Sequence, residues 1–189
     1  MKEPFLEPLL RKLRLQRVIS HVPNNSVILD IGCGTSAAFL NAISPHIKEG
    51  VGIDFKVKDN VQFNNIKTIQ LKLEKRLPFE ESSFEVVTML AVLEHIEEEQ
   101  ELLQEIHRVL VPTGKLILTV PSIWSQPVLE FLAYKLKIVS ELEIRDHKRY
   151  YNRLRLKKVL IDIAGFKEFN HQYFQFGMNN FCTVSKGNR

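Results

Sequence analysis

Residues 27–38 read VILDIGCGTSAA: an apolar, β-branched run that reaches Asp30 and Ile31, then two glycines, Gly32 and Gly34, separated by Cys33. Glycine lets a chain turn sharply and removes the Cβ that would hold a ligand away from the backbone. In a doubly wound α/β sheet, ligands bind beyond the carboxyl ends of the strands, where the strand order reverses, and the first strand–loop–helix turn commonly lies there. A strand before this loop and a helix after it would therefore make Gly32 and Gly34 part of a ligand site rather than a bare turn.

The flanking sequence supplies that frame. Residues 26–30, 50–54 (GVGID), 66–71, 84–89 and 115–120 read as strands, most of them nearly all apolar. Residues 37–43 and 97–110 read as helices. The second opens on glutamates and closes on His107 and Arg108, as the helix dipole favours, and Pro112 and Gly114 end it. Apolar strands alternating with helices indicate a parallel sheet covered on both faces. Residues 152–164 predict a helix that ends at Gly165, with Asn152 placed to cap it. The runs 167–176 and 178–186, around Gly177, predict an antiparallel pair that completes the sheet. The expected fold is one α/β domain over residues 1–189: a doubly wound, mostly parallel, seven-stranded Rossmann-like sheet with helices on both faces and an antiparallel C-terminal strand.

The N-terminal stretch places Phe5, Leu6, Leu9, Leu10, Leu13 and Val18 on one face of an amphipathic helix. Such a helix packs on its domain or over its pocket, and the alternative is a peripheral membrane contact through residues 1–22. A chain of 189 residues with 44% hydrophobic and 25% charged residues is globular and large enough for one core. The net charge of +4 (26 basic, 22 acidic) is dispersed, so a nucleic-acid partner is not indicated. Cys33 and Cys182 are too few for a disulfide framework and lack metal-ligand spacing. The expectation is a reduced, cytoplasmic protein without a metal. No run approaches the ~18 apolar residues of a membrane span.

The loop alone does not choose a ligand. Gly32-x-Gly34-x-x-Ala37 also fits the dinucleotide fingerprint, and Asp54, at the end of the second strand, suits a ribose diol in either case. Three features discriminate. Asp30 precedes the glycines, giving Asp-x-Gly-x-Gly. A second acidic residue, Glu74, follows the third strand. No Tyr-x-x-x-Lys pair occurs, which removes the usual proton relay of short-chain dehydrogenases. Gly114-Lys115 is followed by Leu116, which excludes a P-loop.

With VILDIGCG, VGID, LEKRLPFEESSFEVVTMLAVLEHI and LLQEIHRVLVPTGKLILTVP in order over residues 26–121, the sequence resembles a class I S-adenosylmethionine-dependent methyltransferase. The later DHKRYYNRLRLKKVLIDIAGF resembles the C-terminal part of its small-molecule subgroup. The resemblance implies S-adenosylmethionine as cofactor and the following roles. Gly32, Cys33 and Gly34 bring backbone against its amino-acid end, and Asp30 orients the loop or meets the ammonium. Asp54 holds the ribose hydroxyls with Phe55 beside the adenine. Leu73 and Glu74 flank the adenine, and Met89 and Leu90 lie near the methionine portion. Ser36 stands where the family often has a third glycine and is placed to cap the next helix. Cys33 reads as a small packed residue rather than a reactive thiol.

The acceptor is expected to be a small molecule, such as a sugar, a lipid or a quinone-like intermediate. His95, in LEHI, is a candidate base, histidine being the side chain suited to proton transfer near neutral pH, or a residue that anchors its loop. In the run 146–151, His147 is placed to take a proton, Arg149 to pair with an acceptor anion, and Tyr150 to donate or stack. The alternative is a solvated helix entry. Residues 122–145, rich in apolar side chains, form a lid over the pocket, a dimer face or core. Two rival functions stay open at this level: a nicotinamide-dependent oxidoreductase, and a non-catalytic binding module on the same fold.

Overall fold

The structure, a computed structural model, describes residues 7–58, 62–73, 76–135 and 141–188. Phe5, Leu6 and Glu74 lie outside the described residues. The chain runs α1 (Glu7–Ile19), β1 (Val27–Ile31), α2 (Ala38–Ile43), β2 (Glu49–Asp54), β3 (Gln62–Phe63), β4 (Ile66–Gln70), β5 (Phe84–Leu90), α3 (Glu99–Val109), β6 (Leu110–Pro121), α4 (Ser125–Tyr134), α5 (Glu141–Asp146), α6 (Arg153–Lys157), β7 (Lys167–Phe174) and β8 (Asn179–Ser185).

The sheet order is β3-β4-β2-β1-β5-β6-β8-β7. The pairs β4–β2, β2–β1, β1–β5 and β5–β6 are parallel, and β8 pairs antiparallel with both β6 and β7. Seven of these strands carry the expected mostly parallel sheet, and two-residue β3 adds an antiparallel edge to β4. Strand order reverses at β1, which has β2 on one side and β5 on the other. The loop after β1 is therefore the switch point at which such sheets bind ligands.

Register decides which side chains meet. Ile28 pairs with Val86 and Leu29 with Val87, so alternate residues serve opposite faces. One face gathers Leu29, Ile31, Val87, Met89 and Leu118 under Leu102, Leu103 and Ile106 of α3 and Leu156 of α6. The other gathers Ile28, Val86 and Ile117 under Val18 of α1 and Phe39, Leu40 and Ile43 of α2. Each fully buried aliphatic side chain contributes about 1.5–3 kcal/mol. Helix α1 thus packs on the domain. Arg17 lies over the Phe181 ring at 4.9 Å and bonds Gln172, while Leu9 and Leu13 stay exposed.

One local expectation needs correction, and another holds with added detail. Ser36 does not cap α2: the cap residue is Ala37, in the left-handed region at φ 46°, with no side-chain capping bond. The Ser36 carbonyl instead accepts from Asn41 Nδ2 at 2.7 Å, so the turn is closed from inside the helix. The predicted helix over 152–164 is α6 followed by a π-helical stretch, Lys158–Ile163, before Gly165 at φ +82°. Asn152 Oδ1 accepts from Arg155 N at 2.8 Å and closes the N-terminus of α6.

Candidate active site

The glycine loop is built by its neighbours. Gly32 N and Cys33 N donate to Ile53 O at 2.8 and 3.2 Å, and Gly34 N donates to Asp54 Oδ2 at 3.0 Å. Asp54 Oδ1 accepts from Lys56 N at 2.8 Å. Asp54 therefore straps the loop to the end of β2, and each of its oxygens keeps a second acceptor direction for a ligand hydroxyl. Gly32 and Gly34 both lie at positive φ, +76° and +70°. A Cβ on Gly32 would stand 2.3 Å from Val92 Cγ2, whereas a Cβ on Gly34 would meet no atom within 4 Å. Gly32 is shaped by protein packing. Gly34 faces open space, the cradle that a bound group needs.

Asp30 lies beneath this cradle, 2% exposed, and its Oδ1 accepts from Thr88 Oγ1 at 2.6 Å. The bond follows from register, since Asp30 and Thr88 are paired across β1 and β5. Burial, against the relief given by Thr88 and with a smaller push from Asp54, raises the Asp30 carboxyl to about 7. A buried carboxylate of this kind favours a cationic ligand, which lowers the cost of its charge. Burial, with Asp30 and Asp54 nearby, pushes the Cys33 thiol up to about 12, so it is a protonated packing group.

Phe55, at the end of β2, is 59% exposed with Lys56 Nζ 4.8 Å from its ring centroid. Leu73 is half-buried against the core. A cleft of about 640 Å³, lined by residues 70–72 and 76–80, opens beside it at the carboxyl end of β4. Leu90 is half-buried past β5, but Met89 is fully enclosed in the core, so Leu90 is the one of the pair with surface to offer. These residues come from β1, β2, β4 and β5 at one end of the sheet.

The second cluster forms where residues 147–151 are laced onto residues 93–99. Lys148 N donates to Glu94 O at 2.8 Å, and Tyr151 pairs with Ser122 beyond the end of β6. Arg149 Nη1 and Nη2 donate to Ile96 O and Glu97 O at 2.9 and 3.1 Å, and Nη1 lies 3.3 Å from Glu99 Oε2. The buried Tyr151 hydroxyl donates to Glu99 Oε2 at 2.5 Å, and Arg155 reaches Glu99 Oε1 at 3.3 Å. Arg149 is thus committed to the backbone and Glu99 rather than held out to an acceptor.

His95 and His147 meet with ring centroids 4.8 Å apart. His95 Nδ1 lies 3.1 Å from Asp146 Oδ2, and His147 Nδ1 lies 3.2 Å from the Tyr150 hydroxyl. Burial, then repulsion by His95, lowers His147 to about 4 despite the pull of Asp146, so its imidazole is neutral at pH 7. Burial raises the Tyr150 hydroxyl to about 12, so it stays a neutral phenol that can donate or accept a hydrogen bond. Thr88, Val92, Glu94 and Glu99 are the residues that sequence reasoning passed over. Thr88 and Val92 looked like strand and loop packing, and only the strand register and the Gly32 turn show their purpose.

Beyond β6, Trp124, just before α4, and Val128, Phe131 and Tyr134 on α4 are exposed, while Ser125 and Ala133 are buried. Among the described residues, no helix is long and apolar enough to cross a membrane.

The methyltransferase domain family matches residues 29–118, from β1 through most of β6. The chain is 24% identical to a demethylmenaquinone methyltransferase of Lactiplantibacillus plantarum, over 83% of this chain and 77% of that protein. It is 25% identical to one of Oceanobacillus iheyensis, over 89% and 75%. A crystal structure described as an S-adenosylmethionine-dependent methyltransferase of Thermotoga maritima superposes with a TM-score of 0.69 at 21% identity, covering 92% of this chain and 87% of that one. The switch-point glycine loop and the sheet order agree with the domain match: residues 29–118 are similar to the methyltransferase domain family, and the fold is the Rossmann-like one of S-adenosylmethionine-dependent methyltransferases.

Proposed function

We propose that this chain is an enzyme that transfers a methyl group from S-adenosylmethionine to a small acceptor with an apolar, quinone-like body. The observation that carries the reading is the Gly32–Gly34 loop, strapped by Asp54 and open above Gly34. S-adenosylmethionine supplies a methyl carbon made electrophilic by its sulfonium. The residues suited to hold it are Asp54 for the ribose hydroxyls, Asp30 for the ammonium through the loop, and Phe55 and Leu73 for the adenine. Glu74, which the resemblance puts near the adenine amine, keeps that role as part of the proposal.

The protein's main task in methyl transfer is to hold two groups close and aligned. Loop 91–95 is suited to this, because Val92 packs on Gly32 and carries His95 three residues further on. Arg149 acts here as a positioning residue for that loop. His95, His147 and Tyr150 are the polar groups available to an acceptor oxygen. The acceptor class rests on two supports: the likeness to demethylmenaquinone methyltransferases and the exposed aromatic residues at the start of α4 and along it, with Trp124 65% and Phe131 54% exposed.

The test is transfer of labelled methyl from S-adenosylmethionine to a panel of hydroquinones, phenols, sugars and phospholipids. Turnover of the hydroquinones, with KM raised about tenfold or more in Trp124→Ala and Phe131→Ala at unchanged cofactor affinity, is expected. Turnover confined to sugars would overturn the acceptor class. Hydride exchange with NADH in place of methyl transfer would overturn the reaction.

A further inference from the structure

Glu94, His95 and His147 each offer one ligand atom, and these atoms all lie within 4.8 Å of one another. The expectation that no metal is bound came from the spacing of the cysteines, which says nothing about two histidines brought together by folding. We propose that these three residues form a site for one divalent first-row transition ion, of which Zn2+ is the type. The ligand set, two imidazoles and a carboxylate, suits such ions rather than Mg2+ or Ca2+, which prefer oxygen donors.

Both rings already have the outer partners that metal-bound histidines have. His95 Nδ1 faces Asp146 Oδ2 and His147 Nδ1 faces the Tyr150 hydroxyl. A proton on each Nδ1 fixes the tautomer and leaves Nε2 as the nitrogen with a lone pair for the ion. Glu94 is 1% exposed, so its carboxylate is held inside the protein beside the imidazoles. Bonds of about 2.0–2.1 Å space tetrahedral ligands roughly 3.3 Å apart, so modest side-chain rotation closes the set. Lys148 N on Glu94 O and Arg149 on Ile96 O hold the two chain segments in register while this happens.

Three protein ligands leave one position of a tetrahedron open, the pattern of zinc sites that handle a substrate or water rather than only brace a fold. The site also adjoins the glycine loop, because Val92, two residues before Glu94, packs on Gly32. The metal claim does not depend on the methyl acceptor proposed above.

The test is titration of the untagged, metal-stripped full chain with Zn2+ by calorimetry and with Co2+ by visible absorption. One ion per chain is expected, with the intense bands of four-coordinate Co2+. His95→Gln and His147→Gln are expected to weaken binding at least a hundredfold. Asp146→Asn, at an exposed position, is expected to weaken it by about 10–100-fold, the usual effect of an outer partner, and His46→Gln to leave it unchanged. Should a histidine variant fail to fold, Asp146→Asn still decides. Binding that these variants do not weaken, or the absence of any stoichiometric binding, would overturn the site.

Discussion

Gly32 and Gly34 share a backbone conformation and differ in what lies above them. Alanine at either position takes on left-handed strain of about 1–2 kcal/mol. At Gly32 the new methyl also strikes Val92, so Gly32→Ala is expected to lose more stability than Gly34→Ala. At Gly34 the methyl enters open space, so its larger effect is expected on cofactor affinity, a loss of tenfold or more. Denaturant unfolding and calorimetry on the two variants separate these outcomes. Asp30 makes a second residue-scale prediction. Its native carboxyl titrates near 7 against 3.8 in a free chain. Between these values the native state holds a proton that the unfolded state has lost. Stability from this group is therefore full below about pH 4 and falls as pH rises through 7. Asp30→Asn removes that fall and is expected to stabilise the unliganded protein at pH 8 relative to pH 4 by about 2–4 kcal/mol, while weakening the cofactor. Thermal unfolding at the two pH values checks the sign. Asp30, Gly32, Gly34 and Asp54 were legible in the sequence because the demand on them is local, a turn at a strand end. Thr88 was not, because its bond to Asp30 exists only once β1 and β5 are in register.

At the scale of elements, local chemistry predicts ends and tertiary packing overrides them. Asn152 caps α6 through Arg155 N, and Asn152→Ala is expected to cost about 1 kcal/mol and to lower Tm by about 2–4 °C. Ser36 looks equally suited to cap α2, yet that turn is closed by Asn41 on the Ser36 carbonyl, with Ala37 in the left-handed region. The strands of the parallel sheet were legible because burial on both faces leaves unbroken apolar runs. Helices α4 and α5 and the two-residue β3 were not. Residues 122–145 are apolar without a clear period, and α4 keeps its aromatic residues outside. The run 146–151 read as a helix entry or an acceptor site. Residues 147–151 do lead into the Asn152 cap of α6, and on the way they tie across residues 93–99, which commits Arg149 and brings His147 to His95.

At the scale of the whole molecule, the ends of β1, β2 and β4 come together only in the assembled sheet, so a ligand held between them binds the folded chain alone. A ligand that binds only the native state stabilises it by about 2.7 kcal/mol at a hundred times its dissociation constant. For a domain of this size that is a rise in Tm of about 5–10 °C, expected with S-adenosylhomocysteine and not with NADH. The sequence reading of the fold class held because apolar strands alternating with helices require a parallel sheet covered on both faces. The meeting of residues 93–99 with 147–151 joins parts far apart in the chain, and no local pattern announces it.

The central claim is that the strapped glycine loop binds the methyl-donor cofactor, and one measurement addresses it directly: calorimetric titration of wild type and Asp54→Ala with S-adenosylmethionine, S-adenosylhomocysteine and NADH. Binding of both sulfur compounds on the order of micromolar, weakened at least a hundredfold in Asp54→Ala, and no binding of NADH are predicted. Binding of NADH alone, or cofactor binding that survives the loss of Asp54, would contradict it.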